Sequence, residues 1–78
     1  MRIELALFAS LRRFLPTGEA GHERTIDLPD GTTVGQVIAT LGLPDEPRVV
    51  FVNGRHAPDD FVLHDGDRLA VFPPVAGG

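Results

Sequence analysis

Apolar and polar residues alternate from Arg2 to Phe8, with Ile3, Leu5 and Leu7 on one side and Glu4, Ala6 and Phe8 on the other. A period of two marks a half-buried strand, because successive side chains leave opposite faces of a sheet. A second strand is predicted over Glu23 to Leu28, close enough in sequence to pair antiparallel with the first, and Pro29, Asp30 and Gly31 end it. Residues 9–16 between them have some helical spacing. Pro16 and Gly18 interrupt it, so a loop or one helical turn is expected, followed by a polar loop that carries His22. The period then changes: Val34, Val37, Ile38 and Leu41 fall at i, i+3, i+4 and i+7, an amphipathic helix of about two to three turns. Thr33 and Gln36 form a capping box at its start, and Gly42 followed by Pro44 stops it. Gly35 in the first turn costs about 1 kcal/mol relative to alanine, so the helix depends on packing.

Arg48 to Val52 is β-branched and aromatic, and Asn53-Gly54 signals a tight hairpin into Arg55 to Ala57. Phe61 to Leu63 is expected to be a buried turn and His64 to Asp67 a second turn. The last strand is predicted over Arg68 to Phe72, with Leu69 and Val71 toward the core and Ala70 and Phe72 opposite. Pro73 and Pro74 lack amide donors and end it. The order strand, strand, helix, strand, strand, strand implies an α+β fold: a sheet of four to five strands with one helix packed across one face. Residues 1–74 form the predicted domain, and 75–78 a flexible diglycine tail. One helix covers only one face, so the other is polar or meets a partner.

With 78 residues the chain encloses a single core. Zero cysteines exclude a disulfide framework, a thiolate metal site and a cysteine nucleophile. No apolar run approaches a membrane span, and no long apolar stretch follows Met1 and Arg2, so a cytoplasmic chain with no membrane partner is expected. All seven basic residues are arginines, and against 11 acidic residues the net charge is −4, which weighs against nucleic acid and favours basic protein surfaces. The missing lysine removes Schiff-base chemistry and isopeptide acceptors on this chain.

His22, His56 and His64 lie in separate segments without metal-ligand spacing, and Asp59, Asp60, Asp65 and Asp67 fit turn chemistry. Ser10 beside Arg12 and Arg13 has no nearby histidine base, and Pro29-Asp30-Gly31-Thr32 lacks the glycines of a phosphate loop. Phe14 and Phe61 are expected in the core. Phe8, Phe51 and Phe72 instead share the open face if Val50 and Val52 point inward, and an exposed aromatic cluster is a docking patch. The ending FPPVAGG has a stiff base, two small apolar residues and a diglycine. Its six residues after Phe72 reach up to about 20 Å, long enough to thread a narrow slot with the terminal carboxylate as reactive group.

LFASLR at 7–12, VNG at 52–54, LHDGDRLAVFPP at 63–74 and the closing VAGG make the whole chain resemble the MoaD/ThiS family of ubiquitin-like sulfur carriers. The PPVxGG ending resembles the small subunit of molybdopterin synthase more than the thiamine carrier. The resemblance implies a β-grasp fold, in agreement with the element order. It implies that an E1-like enzyme of the MoeB/ThiF type uses Mg-ATP to adenylate the Gly78 carboxylate, and that sulfur transfer then leaves a thiocarboxylate. The tail next enters a MoaE-like large subunit or another sulfur-accepting enzyme. This chain then binds no cofactor itself, ATP and magnesium serve the activating partner, and catalysis belongs to the partners. Carried over by position, Gly78 accepts sulfur, Gly77 gives clearance, and Val75 and Ala76 line the tail beyond Pro73 and Pro74. Phe8 and Phe72 match aromatic interface positions, and Phe51 and His56 complete the expected partner-binding set. Position 56 is often apolar in the molybdopterin branch, while Gly54 and Asp67-Arg68 resemble the thiamine branch. Carriers for thiamine, cysteine, tungsten-cofactor or tRNA thiolation therefore stay open, as do a modifier joined through Gly78 to target lysines and a binding module with an inert tail.

Overall fold

A computed structural model describes residues 1–18 and 20–74. The first strand, β1 (Arg2–Leu7), pairs antiparallel with β2 (Glu23–Asp27), Ile3 opposite Ile26 and Leu5 opposite Arg24. After the helix α1 (Val34–Leu41) come β3 (Val49–Val52), the two-residue β4 (Arg55–His56) and β5 (Arg68–Phe72). The five strands form one mixed sheet in the order β2-β1-β5-β3-β4. β5 therefore lies in the middle, parallel to β1 and antiparallel to β3, and this is the β-grasp arrangement that the resemblance implies.

Alternation decides which residues enter the core. Ile3, Leu5, Leu7, Val50, Val52, Leu69 and Val71 leave the same face of the sheet and are buried with Val34, Val37 and Ile38 of α1. Thr33 caps α1 as the sequence predicts: its hydroxyl accepts from the Gln36 amide, and the Gln36 side chain accepts from the Thr33 amide at 2.8 Å. Gly42 ends the helix at φ 75°, a left-handed conformation that glycine adopts without a Cβ penalty. Asn53 and Gly54 have φ 52° and 81°, the two positive values that a type I′ hairpin turn requires.

Two expectations need correction. Residues 9–16 are more than a loop or one turn: Ala9–Phe14 is a 3₁₀ helix, two turns at three residues each, which lowers Leu11 and, just beyond it, Leu15 into the core. Phe14 packs against the same cluster, as expected. Phe61 to Leu63 is not a buried turn, since only Leu63 is buried, while Phe61 and Val62 are 36% and 44% exposed. Backbone pairing causes this. Val62 bridges Thr33, the Leu63 amide donates to Thr32, and the Val34 and Gly35 amides donate to the carbonyls of Phe61 and Asp59. The segment caps the helix through its main chain, which leaves the first two side chains outside.

The same contact explains Gly35. A Cβ there would lie 3.1 Å from the Asp59 carbonyl oxygen and 3.2 Å from the Asp59 Cβ, and that carbonyl is held by the Gly35 amide at 2.8 Å. Gly35→Ala gains about 1 kcal/mol of helix propensity but overpacks a pinned backbone, which costs about 1–3 kcal/mol. The expected outcome is a net loss of stability in urea unfolding; a gain would mean that the 58–62 loop yields.

Candidate functional site

The sheet face away from α1 carries a row of aromatic rings, one per strand position, in the spatial order of the strands. Phe8 stacks on Phe72 at 4.3 Å between ring centroids with planes 4° apart, and Phe51 meets Phe72 edge-on at 5.8 Å and 86°. The row ends in a histidine on each side, His22 at 5.0 Å from Phe8 and His56 at 4.5 Å from Phe51. Backbone geometry sets the spacing. His56 lies directly opposite Phe51 in the hairpin, Phe8 donates its amide to the Val71 carbonyl, and the His22 carbonyl accepts from the Leu7 amide. Stacked and edge-on arrangements are the favourable ones for aromatic pairs. Phe8, Phe51 and Phe72, with Gly54, Arg68 and Ala70, line an open concavity of about 290 Å³.

The register that aligns these rings is locked at the far end of β5. The Asn53 side chain donates to Asp67 Oδ1 at 2.9 Å and accepts from the Arg68 amide at 3.0 Å, while the Asn53 amide donates to the Arg68 carbonyl at 2.9 Å. Asp67 Oδ2 also accepts from the His64 amide at 2.8 Å, and the Asp67 carbonyl accepts from the Glu4 amide. One turn therefore ties β3, β5 and β1 together. On the open face next to it, Arg68 hydrogen-bonds Glu23 and lies 3.9 Å from a Glu4 oxygen. The Arg68 hydrogen bond first, and its charge second, hold the Glu23 carboxyl below its ordinary value of 4.5.

The tail leaves the end of β5 through Pro73 and Pro74, which with Leu11, Leu43, Pro44 and Arg48 line a small slot of about 150 Å³. Val75, Ala76, Gly77 and Gly78, and the roles that the resemblance implies for them, lie outside the described residues. Among the described residues no three His, Cys, Asp or Glu side chains converge as a metal site, and no helix is long and apolar enough to cross a membrane.

The ThiS family pattern matches residues 5–78. The chain belongs to the ThiS family. Its relatives are MoaD/ThiS-like, ubiquitin-like sulfur carriers, and its fold is theirs. It is similar to SAMP1 from Haloferax volcanii, with 27% identity over 100% of both chains and a TM-score of 0.76. It is also similar to the putative molybdopterin converting factor subunit 1 from Pyrococcus furiosus, with 29% identity over 95% of this chain and 98% of that one and a TM-score of 0.73. A structure of subunits 1 and 2 of the molybdopterin-converting factor from Helicobacter pylori is similar in fold, with 19% identity over 100% of both chains and a TM-score of 0.64.

In this ThiS-family chain the structure brings Phe8, Phe51 and Phe72 together, as the strand parity predicts, and His56 joins them as the hairpin partner of Phe51. It adds two residues that the sequence pattern does not assign to the site, His22 in the row and Arg68 beneath it. The signal for Arg68 is parity with Ala70 and Phe72, whereas nothing local in the 15–22 loop announces His22. Because the folded-state value of Glu23 is lowered, the Arg68 pair adds stability above the unfolded carboxyl value and loses it as pH falls through the lowered one. Arg68→Gln is expected to move the Glu23 midpoint back up in a carboxyl-carbon NMR titration; an unchanged midpoint would show that the pair does not form in solution.

Proposed function

We propose that this chain carries sulfur on the carboxyl group of Gly78 as the small subunit of a molybdopterin-synthase-type complex in molybdenum cofactor biosynthesis. The observation that supports this most is the position of β5: the strand that leads into the tail also holds Phe72 at the centre of the open aromatic row. A partner that covers the row is thereby set beside the root of the tail. The likeness to the Pyrococcus furiosus subunit 1 adds to this reading, and the Helicobacter pylori structure of the same fold pairs a subunit 1 with a subunit 2.

The chemistry explains why partners are needed. A carboxylate is a poor electrophile, so an E1-like enzyme of the MoeB/ThiF type transfers AMP from Mg-ATP onto the Gly78 oxygen and releases pyrophosphate. Sulfide (HS⁻) then attacks the acyl carbon, AMP leaves with the electron pair of the broken C–O bond, the sulfur gives up its proton to water, and the thiocarboxylate remains. In the large, MoaE-like subunit this sulfur is the nucleophile. The chain itself contributes docking and reach: Phe8, Phe51, Phe72 and His56 hold the partner, Pro73 and Pro74 stiffen the root, and the small residues Val75, Ala76 and Gly77 suit entry into a narrow slot of the partner. ATP-dependent activation goes with a cytoplasmic setting.

Intact mass spectrometry after incubation with the activating enzyme, Mg-ATP and a sulfur source is expected to show one oxygen replaced by sulfur at Gly78. No mass change would point to an inert tail, and conjugates to lysines of other proteins to a modifier. Phe72→Ala is expected to weaken binding of the large subunit by about 1–3 kcal/mol, the range of an interface anchor. Calorimetric affinity equal to wild type would remove the aromatic row from the interface.

A further inference from the structure

Phe61 is the most exposed of the five phenylalanines, at 36%, and Val62 beside it is 44% exposed; the other four are half-buried. Neither side chain is needed to hold its segment. Main-chain hydrogen bonds from the Val34 and Gly35 amides to the carbonyls of Phe61 and Asp59, and from the Phe61 amide to Pro58, fix it at 3.0, 2.8 and 3.1 Å. Gly35 allows the close approach, since a Cβ there would meet the Asp59 backbone. The loop is thus a rigid display of an apolar pair, and a pre-organised aromatic costs little entropy when it is covered.

Charge identifies what would cover it. Residues 28–47 and 56–67, which carry α1 and this loop, hold seven of the eleven acidic residues. Asp30 pairs with the N-terminal ammonium, Asp65 and Asp67 are hydrogen-bonded within the fold, and Arg48 lines one concavity with Asp45, Glu46 and Asp59. That leaves Asp60, beside the apolar pair, as the one carboxylate of the seven with no such compensation among the described residues. Asp59 and Asp60 immediately precede the apolar pair, are exposed, and have no cation within salt-bridge distance among the described residues. The remaining chain, which includes the open sheet with Arg55 and Arg68, has a net positive charge.

We infer that the Phe61-Val62 pair with Asp59 and Asp60 is a second protein-docking surface, separate from the aromatic row, and that its partner offers an apolar pocket rimmed by arginine or lysine. Phe61 is the anchor and the two aspartates supply orientation and rate, as charges at an interface rim do. The inference does not depend on sulfur transfer.

The test is photo-crosslinking of the full chain in its native cells, with Phe61→p-benzoylphenylalanine, the same substitution at Phe72, and one at the exposed helix position Thr40 as background. Melting curves first check that each variant is folded. The position-61 probe is expected to give an adduct well above the Thr40 level, on a partner peptide with two or more arginines or lysines. Adding Asp59→Asn and Asp60→Asn is expected to lower its yield about fivefold through lost charge complementarity. An adduct no stronger than at Thr40, one on a peptide without basic residues, or one indifferent to the aspartate changes overturns the inference. Capture at 72 and not at 61 overturns it while leaving the sheet interface intact. Capture at 61 and not at 72 keeps it and counts against the proposed function.

Discussion

The parallel pairing of β5 with β1 is the constraint on which the rest of the molecule depends. It sets Leu5 opposite Leu69 and Leu7 opposite Val71 at the centre of the core, and it puts the last strand between β1 and β3. Parallel neighbours cannot be joined by a tight turn, so the chain must cross over between them, and α1 lies within that crossover. The helix therefore lands on one face of the sheet and leaves the other open. Because β5 is central, Phe72 stands between Phe8 and Phe51, and Pro73 and Pro74 follow from the middle of the sheet instead of from an edge. Core, aromatic row and tail exit are three consequences of one pairing.

Local chemistry is legible in the sequence wherever a feature depends on neighbours in the chain. The capping box at Thr33 and Gln36, the left-handed stop at Gly42, the Asn53-Gly54 turn and the alternation of β1, β3 and β5 all follow from residues a few positions apart. Alternation also puts Phe8, Phe51 and Phe72 on one face, so strand parity alone accounts for half of the candidate site. The rest is set by partners distant in sequence. Phe61 looks like a core residue in an apolar triplet, and only the bridge between Thr33 and Val62 turns it outward. Residues 9–14 have too few turns for a clear period, and their helix is fixed by burial of Leu11. His22 joins the row because its carbonyl pairs with the Leu7 amide, a contact that the 15–22 loop does not encode by pattern.

Two of the glycines show how the fold and its surfaces share residues. Gly54 completes the turn that lets Asn53 clasp Asp67 and Arg68, and it lines the concavity of the aromatic row as well. Gly35 weakens α1 as an isolated helix, yet its bare Cα admits the Asp59 carbonyl, and that carbonyl in turn anchors the loop that presents Phe61. For Gly35 a local cost in propensity is offset by a contact made elsewhere, which is how a short chain keeps a specific surface on a small core.

The net charge of −4 is a poor guide to recognition here, because the charges are segregated. Helix and capping loop are acidic without arginine, whereas the open sheet holds Arg68 between Glu4 and Glu23, with Arg55 at its edge. A partner that approaches the aromatic row therefore meets a nearly balanced field around an apolar strip, so its affinity rests on ring burial and has a weak salt dependence. A partner on the helix side would meet Asp59 and Asp60, which have no ion-pair partner among the described residues, and its association would be steered and salt-sensitive. The two faces thus differ in the physical term each offers for binding, and the aromatic row and the Phe61-Val62 pair share no residues.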